Sequence, residues 1–72
     1  MKEKARQIMA ENIEYYYDTK YGNPDPRDRF AAQEAMCAVK EAFIDLGVLT
    51  AEEIKAMRHE IHDRKKVEYE KA

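Results

Sequence analysis

The chain has 72 residues and a formal net charge of −2, so it holds at most one small domain. Thirteen basic side chains nearly cancel fifteen acidic ones, which excludes both a phosphate-mimicking acidic surface and the basic footprint of a nucleic-acid binder. Ile, Leu, Val and Phe together number 12, ten of the remaining apolar residues are Ala, and Trp is absent; the low net charge still speaks for a folded chain, but one with a thin core.

Gly and Pro occur at only two places, Gly22 to Pro26 and Gly47. The intervening stretches are rich in Ala, Glu, Lys, Arg and Met, all good helix formers. β-branched residues never cluster, so no strand is expected. The pattern predicts a single all-α domain over residues 1–72, a small bundle of three helices at about 2–20, 26–46 and 51–67. Helices 2 and 3 are expected to form a tight antiparallel hairpin, with helix 1 packed back across the Pro-containing loop.

Helix 1 offers Ala5, Met9, Ile13 and Tyr16 as its apolar stripe, with Ile8 and Tyr15 beside it. Gly22 is expected to end it in the left-handed conformation, and Asn23 before Pro24 favours extended backbone. Asp25 then reads as an N-cap, with Pro26 at the first helical position and Asp28 at the third. On helix 2, Ala32, Ala35, Met36, Val39, Phe43 and Leu46 share one line, the expected core stripe. Phe30, Cys37 and Ile44 repeat every seven residues on another face. Two apolar faces suit a central helix, so helix 2 is expected in the middle.

Gly47 reads as the residue just past helix 2 in a Schellman motif. Thr50 with Glu53 is a capping box, and Leu49 with Ile54 its hydrophobic staple. Helix 3 offers Ile54, Met57 and Ile61. Its next stripe positions are Arg64, Lys65 and Glu68, so its C-terminal end is expected to fray.

Chemistry-bearing clusters are few. His59 and His62 share a helical face at i and i+3, which makes them the one candidate metal pair. A zinc site needs a third or fourth ligand from another element, and Cys37 could serve only if helix 2 turned that side toward helix 3; His59 with Asp63 at i+4 reads as an exposed salt bridge, so no metal or other cofactor is expected. Cys37 lies in mid-helix, where nothing lowers a thiol pKa. No phosphate-cradling Gly motif occurs, and a thin core leaves little room for a dry pocket. The chain is therefore expected to be non-enzymatic.

A helix-turn-helix reading of helices 2 and 3 would start the recognition helix at Thr50, Ala51, Glu52 and Glu53, presenting carboxylates to DNA. Charge is also balanced in each segment: four basic and four acidic residues in helix 1, three and five in the middle, six and six from Thr50 onward. Nucleic acid is thus disfavoured. The longest hydrophobic run, Ala35 to Val39, is far short of a membrane span. Residues 1–7 hold no apolar run like that of a signal peptide. With one Cys and hence no intrachain disulfide, these features predict a cytoplasmic protein.

Tyr15, Tyr16 and Tyr17 are consecutive and Tyr21 follows one turn later. Tyr and Arg are enriched at interface hot spots. Tyr15, Tyr16, Tyr17, Tyr21, Arg27, Phe30 and Ile44 are therefore the expected partner-binding residues. The equally weighted alternative is that the Tyr rings cap a small core with their hydroxyls in water. The expected function is a protein–protein interaction module, self-associating as a homodimer through apolar and Tyr-rich helix faces. Alternatives are a phage- or mobile-element-type regulator that docks on a larger host protein, and a helix-turn-helix binder. The run from Ala42 to Ile54, in which a helix ends at Gly47 and Val48, Leu49, Thr50, Ala51, Glu52 and Glu53 follow, resembles the SHOCT-type helical hairpins of bacterial proteins. That resemblance covers the latter part of the chain only and implies a small association module, not an activity.

Overall fold

A computed structural model describes residues 1–23 and 25–71. These form α1 (Lys2–Gly22), α2 (Pro26–Asp45) and α3 (Ala51–Lys71), with no strand among the described residues. The all-α three-helix bundle expected from the sequence is the observed fold.

Local chemistry sets the turns. The Asp25 carboxylate accepts from the Arg27 amide at 2.9 Å, and Pro26 opens α2. Asn23 braces this entry, accepting from the Asp25 amide and donating to Asp28. Pro24, expected to favour extended backbone, lies outside the described residues. At the far end of α2, Gly47 has φ +71°, the left-handed region that a side chain disfavours. The Val48 amide donates to the Phe43 carbonyl and the Gly47 amide to that of Ile44, the paired bonds of a Schellman motif. The capping box also forms: Glu53 N–H donates to Thr50 Oγ1 at 3.1 Å, and Thr50 N–H to Glu53 Oε1 at 3.2 Å. Leu49 and Ile54 are both buried, as a staple requires.

Gly22 departs from expectation. It is the last helical residue of α1, and the cap is Asn23 in extended backbone. What it supplies is space: a Cβ there would stand 3.4 Å from the Tyr69 ring.

The core is Ala5, Met9, Ile13 and Tyr17 of α1, Ile54, Met57 and Ile61 of α3, and Leu49, with Met36 from α2. Tyr17 replaces the expected Tyr16, which is only half-buried. On α2 only Ala32 and Met36 are fully buried. Val39 and Phe43 are half-buried, and Leu46, expected in the stripe, is 73% exposed. Ala35 is exposed as well.

These differences share one cause. The central helix is α1, not α2: it packs along both others, while α2 and α3 scarcely touch. Arg6 meets Glu53, Glu14 meets Arg64 and Asp18 meets Lys65 and Tyr69. Position numbers rise together along both helices, so α1 and α3 run parallel. α3 also runs past its expected end at about residue 67. It continues to Lys71 because Lys65 lays its stem against α1 and pairs with Asp18 at 2.9 Å, and Tyr69 closes over Gly22.

Candidate functional site

Because α2 and α3 lean on α1 without closing on each other, a cleft of about 510 Å³ remains between them. That volume lies within the usual range of binding pockets, although the groove is open and polar-rimmed and not the dry pocket for which little room was expected. Met9, Ile13, Tyr17, Met36 and Ile54 lie beneath it, but all five belong to the core and are at most 3% exposed. Its remaining polar lining is cationic or imidazole: Lys40 from α2, and Lys55, Arg58, His59 and His62 from α3. No carboxylate lines it, in a chain whose net charge is negative.

The α3 residues Lys55, Arg58, His59 and His62 stand at i, i+3, i+4 and i+7, which puts them on one face. From Ala51 to His62 that wall is about 17 Å long, three helical turns. Lys40 and Lys55 form no ion pair among the described residues. Arg58 is fixed without a carboxylate: its Nε donates to the Tyr17 hydroxyl at 3.1 Å, and its guanidinium lies 5.8 Å from the Tyr16 ring centre. The hydrogen bond to Tyr17 raises the Arg58 pKa above its ordinary value, against desolvation. By contrast, the cations facing the other side of α1 are consumed. Lys2 and Arg6 pair with Glu53, and Arg64 with Glu14.

The structure divides the expected partner-binding residues. Tyr17 is 3% exposed, and His62 stacks on it with ring centres 4.5 Å apart and planes within 5°. The Tyr21 hydroxyl hydrogen-bonds His62 Nε2 at 2.7 Å. Tyr16 packs edge-on against Tyr17. These rings seal α1 to α3, so Tyr17 is corrected from a surface anchor to a core residue, and Tyr16 and Tyr21 are largely engaged within the molecule. Tyr15 and Phe30 remain outside, 60% and 61% exposed. Arg27 is exposed and pairs locally with Asp25. Ile44 is half-buried against the core.

The two imidazoles do not act as a pair. His62 belongs to the Tyr stack, while His59 is exposed on the cleft rim and forms no ion pair with Asp63. Cys37 does face the cleft beside them. Among the described residues no three His, Cys, Asp or Glu side chains converge as a metal site would need.

The sequence reading missed the cleft rim. Its signal was present as the basic spacing from Lys55 to His62 next to the buried Ile54 and Ile61. What hid it was overall charge balance, since opposite charges alternate along the chain but separate in space. No protein-family model, curated protein or solved structure matches this chain. No helix of the described residues is long and apolar enough to cross a membrane.

Proposed function

We propose that the chain is a small, non-enzymatic protein–protein interaction module that docks a helix of a partner into the cleft between α2 and α3. The observation that carries this reading is the vacancy itself. Two helices flank a central one and stand apart over a groove. A helix laid along the cleft would rest on its exposed α3 rim of Lys55, Arg58 and His59, since Met9, Ile13, Met36 and Ile54 beneath are already closed off from water. The single free Cys37 suits a cytoplasmic setting. Against the helix-turn-helix reading stands Glu53, at the start of α3, which is committed to Lys2 and Arg6.

The test is to titrate the isotope-labelled protein with an amphipathic helical peptide whose flanks are Gln, so that charge plays no part. Amide shifts should concentrate around Ile13, Met36, Ile54 and His59, and Cys37→Trp, which fills the cleft, should abolish them. Shifts centred on Tyr15, or none, would overturn the reading.

A second reading, self-association, is favoured by the exposure of Phe30 and Leu46 on α2. Sedimentation equilibrium across a concentration series decides it. A dimer lost on Phe30→Ser would support this reading, and a monomer throughout would exclude it.

A further inference from the structure

The charge balance that disfavours nucleic acid along the chain does not survive folding. Lys20, Arg29, Lys40, Lys55 and Arg58 form no ion pair among the described residues. All five line one of two grooves. Lys40, Lys55 and Arg58 stand on the cleft between α2 and α3. Lys20 and Arg29 stand with Tyr16 and Phe30 on a smaller groove of about 270 Å³, where the end of α1 meets the start of α2. No carboxylate lines either groove. The two abut. The Arg58 guanidinium of the cleft lies 5.8 Å from the Tyr16 ring centre, and Lys20 Nζ of the smaller groove lies 5.9 Å from that of Tyr17. From this joined face we infer a further binding activity: it holds single-stranded nucleic acid, with phosphates on the five cations and a base on Phe30. The inference goes beyond the docking reading and does not rest on it.

Two kinds of side chain, cations and exposed rings, select this ligand. Basic grooves that track a phosphate backbone, with rings on which bases stack, hold single strands without reading sequence. Along α2, Arg29, Gln33, Cys37 and Lys40 follow at i, i+4, i+8 and i+11, a track of about 16 Å leading from one groove to the other. Glu34 and Glu41 stand on the side of α2 opposite the buried Ala32 and Met36, away from that track. Phe30 is 61% exposed at one end, and His59 is exposed at the other. A duplex fits less well. Its phosphates lie on a convex cylinder while these cations sit along grooves, and its bases, already stacked, leave no face for Phe30. An acidic peptide would meet the cations and leave the Phe30 ring without a partner. The net charge of −2 does not oppose local attraction at short range, but it makes binding steeply salt-dependent.

The experiment titrates the whole chain against labelled oligo-dT and oligo-U of about 12 nucleotides, beside a duplex and a poly-Glu peptide of matched length. Binding is followed by fluorescence anisotropy. At low salt the single strands should bind about tenfold or more tightly than the duplex or the peptide. With four or five phosphates engaged, log K should fall against log salt with a slope of about −3. Binding of either strand supports the inference, and their ratio tells which sugar the face prefers. Arg29→Glu with Lys55→Glu takes one cation from each groove and should weaken binding about tenfold or more. Both positions lie near helix N-termini, where a carboxylate is tolerated. Lys4→Glu with Lys71→Glu changes net charge equally, away from both grooves, and should weaken it far less. Phe30→Ser should weaken binding about fivefold or more, while Phe30→Tyr, which keeps a ring, should not. Melts and sedimentation check that each variant keeps its fold and oligomeric state. Duplex or poly-Glu binding as tightly as the strands would overturn the inference, the latter assigning the face to an acidic peptide. So would equal losses in the two charge-reversed pairs, undiminished binding by Phe30→Ser, indifference to salt, or no binding at low salt. The Gln-flanked peptide carries none of this charge, so the docking reading stands or falls separately.

Discussion

α3 and α2 both lie against α1, yet they are held there by different forces. α3 is stitched to α1 from end to end: Glu53 to Lys2 and Arg6, Arg58 to Tyr17, Arg64 to Glu14, and Lys65 and Tyr69 to Asp18. Under these bonds lie the buried side chains of Ile54, Met57 and Ile61. No side-chain hydrogen bond or ion pair joins α2 to either other helix among the described residues, and it buries only Ala32 and Met36 fully. Exposed ion pairs each contribute little. Their effect here is geometric, fixing the register and parallel sense of the α1–α3 seam. The contrast is one of means: a seam of polar bonds over apolar packing carries the cationic side of the cleft, and a helix held by apolar contact forms its opposite wall.

Two aromatic side chains test that contrast most strongly. Tyr17 sits in the seam, 3% exposed, stacked on His62 and bonded to Arg58. Tyr17→Ala should cost roughly 3–5 kcal/mol of unfolding free energy in chemical denaturation. Phe43, on α2, is half-buried against the core, so Phe43→Ala should cost less, about 2 kcal/mol, because part of its surface already meets water. An equal or larger loss at Phe43 would show that α2 is as firmly held as α3 and break the comparison.

The sequence carried the helices and their ends with little loss. Asp25, Gly47, Thr50 and Glu53 act through bonds to the backbone within a few residues, and short-range chemistry of that kind is readable without the fold. The buried sets Ala5, Met9, Ile13 and Ile54, Met57, Ile61 were equally legible, since each helix there has one apolar face. Partner choice was not. α2 shows two apolar faces, which suits a central helix, but periodicity reports that a face is apolar and not what covers it. One of those faces, through Cys37, opens on the cleft. Tyr17 and Tyr16 are neighbours in sequence, and only the parallel placement of α3, with His62 and Arg58 alongside, decides which ring is buried. Arg64 and Lys65 looked like the residues of a fraying end because their partners, Glu14 and Asp18, lie far away along the chain. The cleft arises where two helices fail to meet, so no local pattern could announce it.

The entry to α3 gives a smaller and more local test. Thr50→Ala removes the hydroxyl that accepts from the Glu53 amide and should lower stability by about 1 kcal/mol. Thr50→Ser, which keeps an acceptor, should retain most of that. If the α1–α3 seam and not the cap determines where α3 starts, Thr50→Ala will leave both the melt and the helical signal unchanged, and the seam will carry more of the fold than is argued above.

The smallest effect is electrostatic and falls on the same residue that joins cap to seam. Hydrogen bonding from Lys2 lowers the Glu53 pKa below its ordinary value, the Thr50 amide adds to this, and partial desolvation opposes it. A lowered folded-state pKa means that the folded protein binds the Glu53 proton less well than the unfolded chain. The resulting stability is present in full above the unfolded value, about 4.3, and drains as pH falls through the lowered folded value. Glu53→Gln should therefore melt below the parent protein at neutral pH and converge with it in acid, while Glu52→Gln, at a side chain that makes no such contacts, should run parallel to the parent throughout. Raised salt should narrow the neutral-pH gap, because both partners stand near the surface. Should the gap persist unchanged into acid, the hydrogen bonds of the capping box would be what Glu53 contributes, and the ion pairs with Lys2 and Arg6 would hold register alone.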